Sequence, residues 1–330
     1  MSEVYPGIHW IKLPITIEDE GLNHINVYLI KGAKGYLLVD SGWNTDESFT
    51  TFHNYLLKHN IGFEEIKQIL ITHVHPDHYG MAGHIKQLSG AKLIMHHIEK
   101  DFISPRYIDM NELLAQTDKM LSTNGFTEDE VAVLRDASLD IVNLIVPTPP
   151  DVTLHDGETI KNGDFNFRAI WSPGHSSGHI CLYEPEKKLL FSGDHILPKI
   201  TPNVSLNPQS IDNPLGRYIE SLQQIRRLGV ELTLPGHDEP FNNLKERIDE
   251  IIRHHNQRNL EILCTLASGE KTAHKIAQAI SWGNNSGWKD LPPFHQRMAL
   301  FETLAHLEMM AAEDRVDKFS RQGTTYFKEK

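Results

Sequence analysis

The 330-residue chain is 39% hydrophobic and 23% charged, an ordinary globular composition, long enough for one large domain with an appendage or for two domains. Its net charge of −12 is uneven: residues 1–240 hold 19 Lys and Arg against 32 Asp and Glu, and residues 241–330 hold 13 against 12. The acidic main region lacks the basic footprint of a duplex or RNA binder, so nucleic acid is disfavoured as the main partner. Two cysteines, Cys181 and Cys264, make neither a disulfide framework nor a Cys-rich metal site. With no run of about 18 apolar residues and no signal-peptide pattern, the expectation is a cytoplasmic protein with no membrane span.

In chain order, loose alternation over residues 8–17 predicts a strand. Residues 25–30 and 36–40, on either side of a Gly-bounded turn, predict a β-hairpin. Asp40 ends that hairpin and Ser41-Gly42 turns the chain. An aspartate there is either a cap for the next segment or the partner of a charged group. Phe49, Phe52, Leu56 and Leu57 have helical spacing within 46–59, and Asn60-Ile61-Gly62 is a stop. A strand at 66–71 leads into Thr72-His73-Val74-His75-Pro76-Asp77-His78-Tyr79-Gly80. A helix at 81–88 and a strand at 92–95 come next, which makes a mixed α/β protein.

Residues 98–146 read as a helical insertion between two β-rich halves. Met110, Leu113, Leu114, Thr117, Met120 and Leu121 keep helical spacing. After Asn124-Gly125, Thr127 with Glu128, Asp129 and Glu130 makes a capped, acidic first turn. That helix runs through Val131, Leu134, Leu139 and Val142 until Pro147-Thr148-Pro149-Pro150 ends it. Such an insertion could wall a cleft and select a small substrate, while Met110, Leu113 and Met120 read as core. Strands resume at 152–154, 165–171, 179–183 and 188–191. A helix at 212–228 and a short strand at 231–234 come after them. Beyond 240 the chain turns helical, at 244–267, 273–280 and 294–312, with a terminal hairpin near 315–319 and 324–327. The expected domains are therefore 1–240 and 241–330.

Three histidines and an aspartate fall within positions 73–78, directly after Ile69-Leu70-Ile71. His73 and His75, two apart on an extended chain, point to one side. Imidazole and carboxylate suit zinc or iron at a catalytic site. Three further groups succeed apolar runs: Ser172-Pro173-Gly174-His175, Ser192-Gly193-Asp194-His195 and Leu234-Pro235-Gly236-His237. In each, glycine lets the backbone turn so that the next residue projects from a strand end. Four such clusters could converge on one rim. Other histidines carry plainer expectations: His24 on a surface hairpin, His96 and His97 at a strand edge, His195 as a candidate cleft contact, and His254 and His255 on a solvated helix face.

Thr-His-Val-His-Pro-Asp-His (72–78), Pro-Gly-His-Ser-Ser-Gly-His (173–179), Ser-Gly-Asp (192–194) and Pro-Gly-His (235–237), in that order, resemble the metallo-β-lactamase-fold hydrolases over about residues 8–240. The resemblance implies an α/β fold, an αββα sandwich with a metal site at one edge. Carried over by position, it implies a first metal on His73, His75 and His175, a second on Asp77, His78 and His237, and Asp194 bridging both. It implies a metal-bridging hydroxide as nucleophile, with Asp77 as the catalytic group that orients it or takes its proton. It also implies that Asp40 and His179 support these ligands from behind. The cofactors implied are two divalent metal ions, zinc first, with iron or manganese as alternatives.

Departures narrow the branch. Asp194 stands where the commonest zinc β-lactamases carry cysteine, and His75 stands where flavin-linked diiron members carry glutamate. The residues after Asp194 lack the tyrosine that lactonases often place there. Pro-Gly-His-Ser-Ser-Gly-His-Ile is similar to the glyoxalase-II-like thioesterase and endoribonuclease-like branches. Residues 271–280, the helix from 294 and the hairpin look like a winged helix, a supplement found in the latter branch. The local charge of +1 favours a packing or dimerisation lobe over nucleic-acid binding. The expected function is a dinuclear metal hydrolase for a small ester-like substrate, thioester ahead of lactone. An endoribonuclease or phosphodiesterase is the alternative, and a non-catalytic ligand-binding sensor is the alternative of another class. A small molecule is the expected partner, and a homodimer stays open.

Overall fold

The computed structural model describes residues 3–15, 23–136, 144–283 and 287–330. Short alternating segments build one seven-stranded sheet, in the order β1 (Glu3–Tyr5), β2 (Ile8–Pro14), β3 (His24–Gly32), β4 (Gly35–Val39), β5 (Ile66–Leu70), β6 (Lys92–His96) and β7 (Val152–Leu154). Neighbours from β1 to β4 are antiparallel, and those from β4 to β7 are parallel. Parallel neighbours need crossovers. These are α1 (Asp46–Lys58), then α2 (Pro76–Tyr79) with α3 (Ala82–Ser89), then the insertion with α4 (His97–Tyr107), α5 (Asn111–Thr123) and α6 (Glu128–Asp136). The second sheet contains β8 (Thr159–Asn162), β9 (Phe165–Trp171), β10 (Ile180–Glu184), β11 (Leu189–Gly193) and β12 (Leu232–Pro235), in the order β12-β11-β10-β9-β8. Its parallel pair, β11 and β12, is joined through α7 (Pro214–Ile225). The chain ends with α8 (Leu244–Leu266), α9 (Ala273–Ala279), α10 (Pro293–Ala312) and the hairpin of β13 (Val316–Arg321) and β14 (Thr324–Glu329).

The period of two along each strand assigns its residues to two cores. Tyr28 and Ile30 of β3 face the second sheet, where they meet Phe167, Leu182 and Phe191. Val27 and Leu29 of β3 face the other way, toward Phe52 and Leu56 of α1 and Ile85 of α3. On the outer face of the second sheet, Cys181 and Leu190 pack with Leu215, Tyr218 and Leu222 of α7 and Ile248 of α8. The layers therefore run helix, sheet, sheet, helix, which is the αββα sandwich the motifs implied. A fourth core lies beside it. Leu121 of α5, Phe126, and Val131 and Leu134 of α6 pack with Ile262, Ile276, Leu300, Leu304 and Phe327 of the C-terminal region. The insertion is thus anchored to the C-terminal helices, and Met120 joins that seam from its edge. A cavity of about 370 Å³ opens there, lined by Lys119, Met120, Leu206, Leu304 and Lys318 among others.

Most expected elements recur within a residue or two. Four were not expected: β1, β8, α2 and α4. Only Ile160 of β8 is buried, and α4 mixes polar residues with an internal Pro105, so neither carries a clean period. Leu139 and Val142, expected on the second insertion helix, and residues 16–17 of the first strand lie outside the described residues. His255 is not on a solvated face. It is buried, with Nδ1 3.3 Å from Nε2 of His306, because α10 covers that side of α8. Ten residues of α10 are buried, Leu300 and Leu304 in the seam and Ala305 and Met309 against α7. Among the described residues no helix is long and apolar enough to cross a membrane.

Candidate metal centre

Four strand ends deliver the candidate ligands to one edge of the sandwich. His73, His75, Asp77 and His78 come after β5, His175 after β9, Asp194 after β11, and His237 after β12. Two glycines make the approach possible. Gly193 has φ +47°, and a Cβ there would lie 2.6 Å from Nε2 of His179. A Cβ on Gly236 would lie 2.3 Å from Oδ1 of Asp194 and 2.8 Å from Cε1 of His78. The turn residues before Asp194 and His237 are therefore small because side chains of the site occupy the space beside them.

The seven side chains form two groups. His73, His75 and His175 bring ligand atoms within 4.8 Å of one another, and so do Asp77, His78, Asp194 and His237. In the first group, Nε2 of His175 lies 2.9 Å from Nδ1 of His75. In the second, Nε2 of His237 lies 3.2 Å from Oδ2 of Asp77 and 3.4 Å from Oδ2 of Asp194. Asp194 faces both groups: Oδ1 is 3.2 Å from Nε2 of His78, and Oδ2 is 3.7 Å from Nε2 of His175. His75, Asp77 and His175 are half-buried and form the open side, while His73, His78 and His237 are fully enclosed.

Three of the rings, those of His78, His175 and His237, are held by a partner on the far side. Asp40 faces Nδ1 of His78 at 2.8 Å, and its carboxylate also accepts from the backbone N–H of Thr72 at 2.8 Å. Asp40 does this from a left-handed backbone conformation, φ 58°, which an aspartate tolerates better than most residues. The carbonyl of Asn203 lies 2.8 Å from Nδ1 of His175, and that of His24 lies 2.9 Å from Nδ1 of His237. Those partners turn Nε2 of all three rings inward. β3 fixes the last loop: Asn26 donates to the carbonyls of Pro235 and Asp238, and the Tyr28 hydroxyl donates to Pro235. His179 sits behind Asp194. Its Nε2 accepts from the Asp194 backbone N–H at 3.2 Å, and its Nδ1 meets Ser172 Oγ at 2.8 Å. His195 does not reach the cleft; it is buried against Ser221 and Tyr218. His24 contributes its backbone carbonyl rather than its ring.

Several supporting residues went unseen in the sequence, and one of them joins two ligand segments. Glu99 of α4 is fully buried. Its Oε2 accepts from the N–H of Val74, and its Oε1 accepts from Ser176 Oγ and the N–H of Gly178, at 2.8, 2.5 and 2.8 Å. It ties the His73–His75 segment to the loop of His175. Tyr107 of the same helix donates to the carbonyl of Val74. No local pattern marks Glu99, because all three of its partners are distant in sequence.

The electrostatics of the two groups differ. Burial, then the neighbouring imidazoles, pushes His73 and His75 well below the usual histidine range, and burial also lowers His175. The first group is therefore a nest of neutral imidazoles. In the second, burial would lower His78 and His237, but the carboxylates of Asp194 and Asp77 overcome it. His78 rises well above its ordinary value and His237 is pushed up to about 10. Burial likewise would raise Asp77 and Asp194, yet the facing histidines bring both down.

Nε2 of His73, His78 and His237 and Oδ1 of Asp194 are buried without a hydrogen-bond partner. Orphaned polar atoms are costly unless something is bound to them. Four such atoms converging beside neutral imidazoles and paired carboxylates form a donor set that suits divalent cations.

The model of the metallo-beta-lactamase superfamily matches residues 21–237. This chain belongs to that superfamily. Membership makes it an enzyme of the metallo-hydrolase class. The structure of metallo-beta-lactamase family protein TTHA1429 from Thermus thermophilus superposes with a TM-score of 0.82 at 28% identity, over 99% of this chain and 100% of that one. The probable metallo-hydrolase YqjP of Bacillus subtilis is 24% identical over 96% of each chain. The human acyl-coenzyme A thioesterase MBLAC2 is 27% identical over 71% of this chain and 79% of its own length.

Proposed function

We propose that the chain is a two-metal hydrolase of small thioesters. The observation that carries this reading is the pair of ligand groups sharing Asp194 at an opening formed by His75, Asp77 and His175. The thioester class is supported by the 27% identity to a human relative named as an acyl-coenzyme A thioesterase. In this reading His73, His75 and His175 hold one cation, Asp77, His78 and His237 hold the other, and Asp194 serves both. Bound there, divalent cations supply Lewis acidity that polarises a carbonyl oxygen and brings the pKa of water toward neutrality. Zinc suits the imidazole and carboxylate set, with iron or manganese as alternatives.

The chain's own groups do the rest. Asp77 is the more open of the two carboxylates, with 17% of its side chain exposed against 9% for Asp194. It orients the attacking water and accepts its proton at a carboxylate oxygen. As the C–O bond forms, the C–S bond breaks, and sulfur leaves as a thiolate that takes its proton from solvent. Asp40 and the carbonyls of Asn203 and His24 keep three rings aimed inward, so no reorganisation is needed as charge develops. The test is a panel of acyl thioesters, lactones and bis-p-nitrophenyl phosphate, with His73→Ala as control. Thioesters should turn over fastest, and H73A should fall to background. A wild-type protein that holds its metals yet hydrolyses no ester or thioester would refute the reading.

A further inference from the structure

Arg106 lies in the last turn of α4. The hydroxyl of the next residue, Tyr107, donates at 2.5 Å to the carbonyl of Val74, between His73 and His75. Nε of Arg106 donates at 2.5 Å to Oε1 of Gln209. The backbone carbonyl of Gln209 in turn accepts from Ser177 Oγ at 3.0 Å, two residues past His175. Arg106 is thereby fixed between the loops that carry His75 and His175.

The side chain is half-buried, with its guanidinium 5.3 Å from the ring of Phe102. Its hydrogen-bonding side-chain partners are the neutral Gln209 and Tyr107, and among the described residues no carboxylate pairs with it. A sheltered cation without a counterion is unfavourable through lost hydration. Cations bound at the neighbouring clusters would add repulsion. An anion seated beside the guanidinium would relieve both costs.

We propose that Arg106 anchors an anionic group of the substrate, a carboxylate or a phosphate, and so makes the enzyme selective for anionic thioesters. This rests on the hydrolase reading above. A fixed cation at the site would offset part of the acidic field of residues 1–240, which carry 32 acidic against 19 basic residues. The planar fork of arginine suits two-point binding of either oxyanion.

The test uses the metal-loaded full chain and has two readouts. The first is calorimetric binding of adipate, of phenyl phosphate and of dimethyl adipate as the uncharged control. Wild-type protein should bind at least one of the two anions, and Arg106→Gln should weaken that anion about 10- to 100-fold, the range of a charge-assisted hydrogen bond. Whichever anion shows the larger loss identifies the group recognised. R106K, which keeps the charge without the fork, should recover part of the affinity. Gln209→Leu, which removes one positioning hydrogen bond but keeps the charge, should lose less affinity than R106Q. Equal binding by R106Q, equal binding of dimethyl adipate, no anion binding by wild type, or a Q209L loss as large as that of R106Q would each overturn the proposal. The second readout is the rate on S-phenyl monothioadipate against its methyl ester, where R106Q should raise KM for the acid alone. Arg106-dependent anion binding without any thioester turnover would uphold the anchor and remove only the thioesterase reading.

Discussion

Glu99 offers the sharpest test of how the site is held. In Glu99→Gln the side chain keeps its shape, but one carboxylate oxygen becomes an amide NH2. If the remaining oxygen serves Ser176 and Gly178, the new NH2 faces the N–H of Val74. If it serves Val74, the NH2 faces the N–H of Gly178. Either way one buried backbone donor is left against another donor. Leaving it unsatisfied costs about 1–3 kcal/mol, and weakening the bonds that remain brings the total to about 2–4 kcal/mol. That is a large part of a typical stability of about 5–15 kcal/mol. Because the lost bond ties the His75 and His175 segments together, metal affinity should also fall, by about 10- to 100-fold. Urea unfolding of the metal-free protein measures the first quantity, and competition with a chelator measures the second. An E99Q protein within about 0.5 kcal/mol of wild type that binds metal equally well would refute the reasoning.

Asp40→Asn should lower the metal affinity of the Asp77, His78 and His237 group by about 10- to 100-fold, because one oxygen can no longer serve both Thr72 and His78; asparagine tolerates the left-handed backbone, so unchanged chelator competition would exclude the hydrogen-bonding role. Acid should destabilise the protein through His255, which burial, then His254 and Arg258, lowers to about 3. Its contribution is present above the unfolded value of about 6.5 and is lost as pH falls toward 3, at up to about 1.4 kcal/mol per pH unit, so the dependence of the urea midpoint on pH over that window should be shallower in His255→Gln. Metal uptake by the Asp77, His78 and His237 group should release protons near pH 7, since His237 is pushed up to about 10 and must deprotonate to coordinate. Calorimetry in buffers of different ionisation enthalpy reads that release, and a buffer-independent heat would contradict it.

The candidate ligands were legible because each stands at a strand end next to glycine or proline, and a strand end can be read from local alternation. The sandwich was implied by the order of those motifs. Glu99, Thr72 and the carbonyls of Asn203 and His24 were not legible, because their roles arise only when segments far apart in sequence meet. α4 was missed for a related reason: its buried side faces the ligand loops through Glu99 and Ile103, so its pattern is set by the site rather than by a helical period. His255 looked solvated because its helix is polar overall, and only the packing of α10 encloses it.

The central claim is that one carboxylate, Asp194, unites two metal sites into one hydrolytic centre. It is tested most directly by stripping the protein and titrating zinc back while tracking both bound metal and thioester hydrolysis. Wild type should take up two ions per chain, with activity completed as the second binds. Asp194→Ala should weaken both sites, whereas His237→Ala should weaken one. Full activity with a single ion, or an Asp194→Ala protein that loses one site and keeps the other at wild-type affinity, would contradict the account.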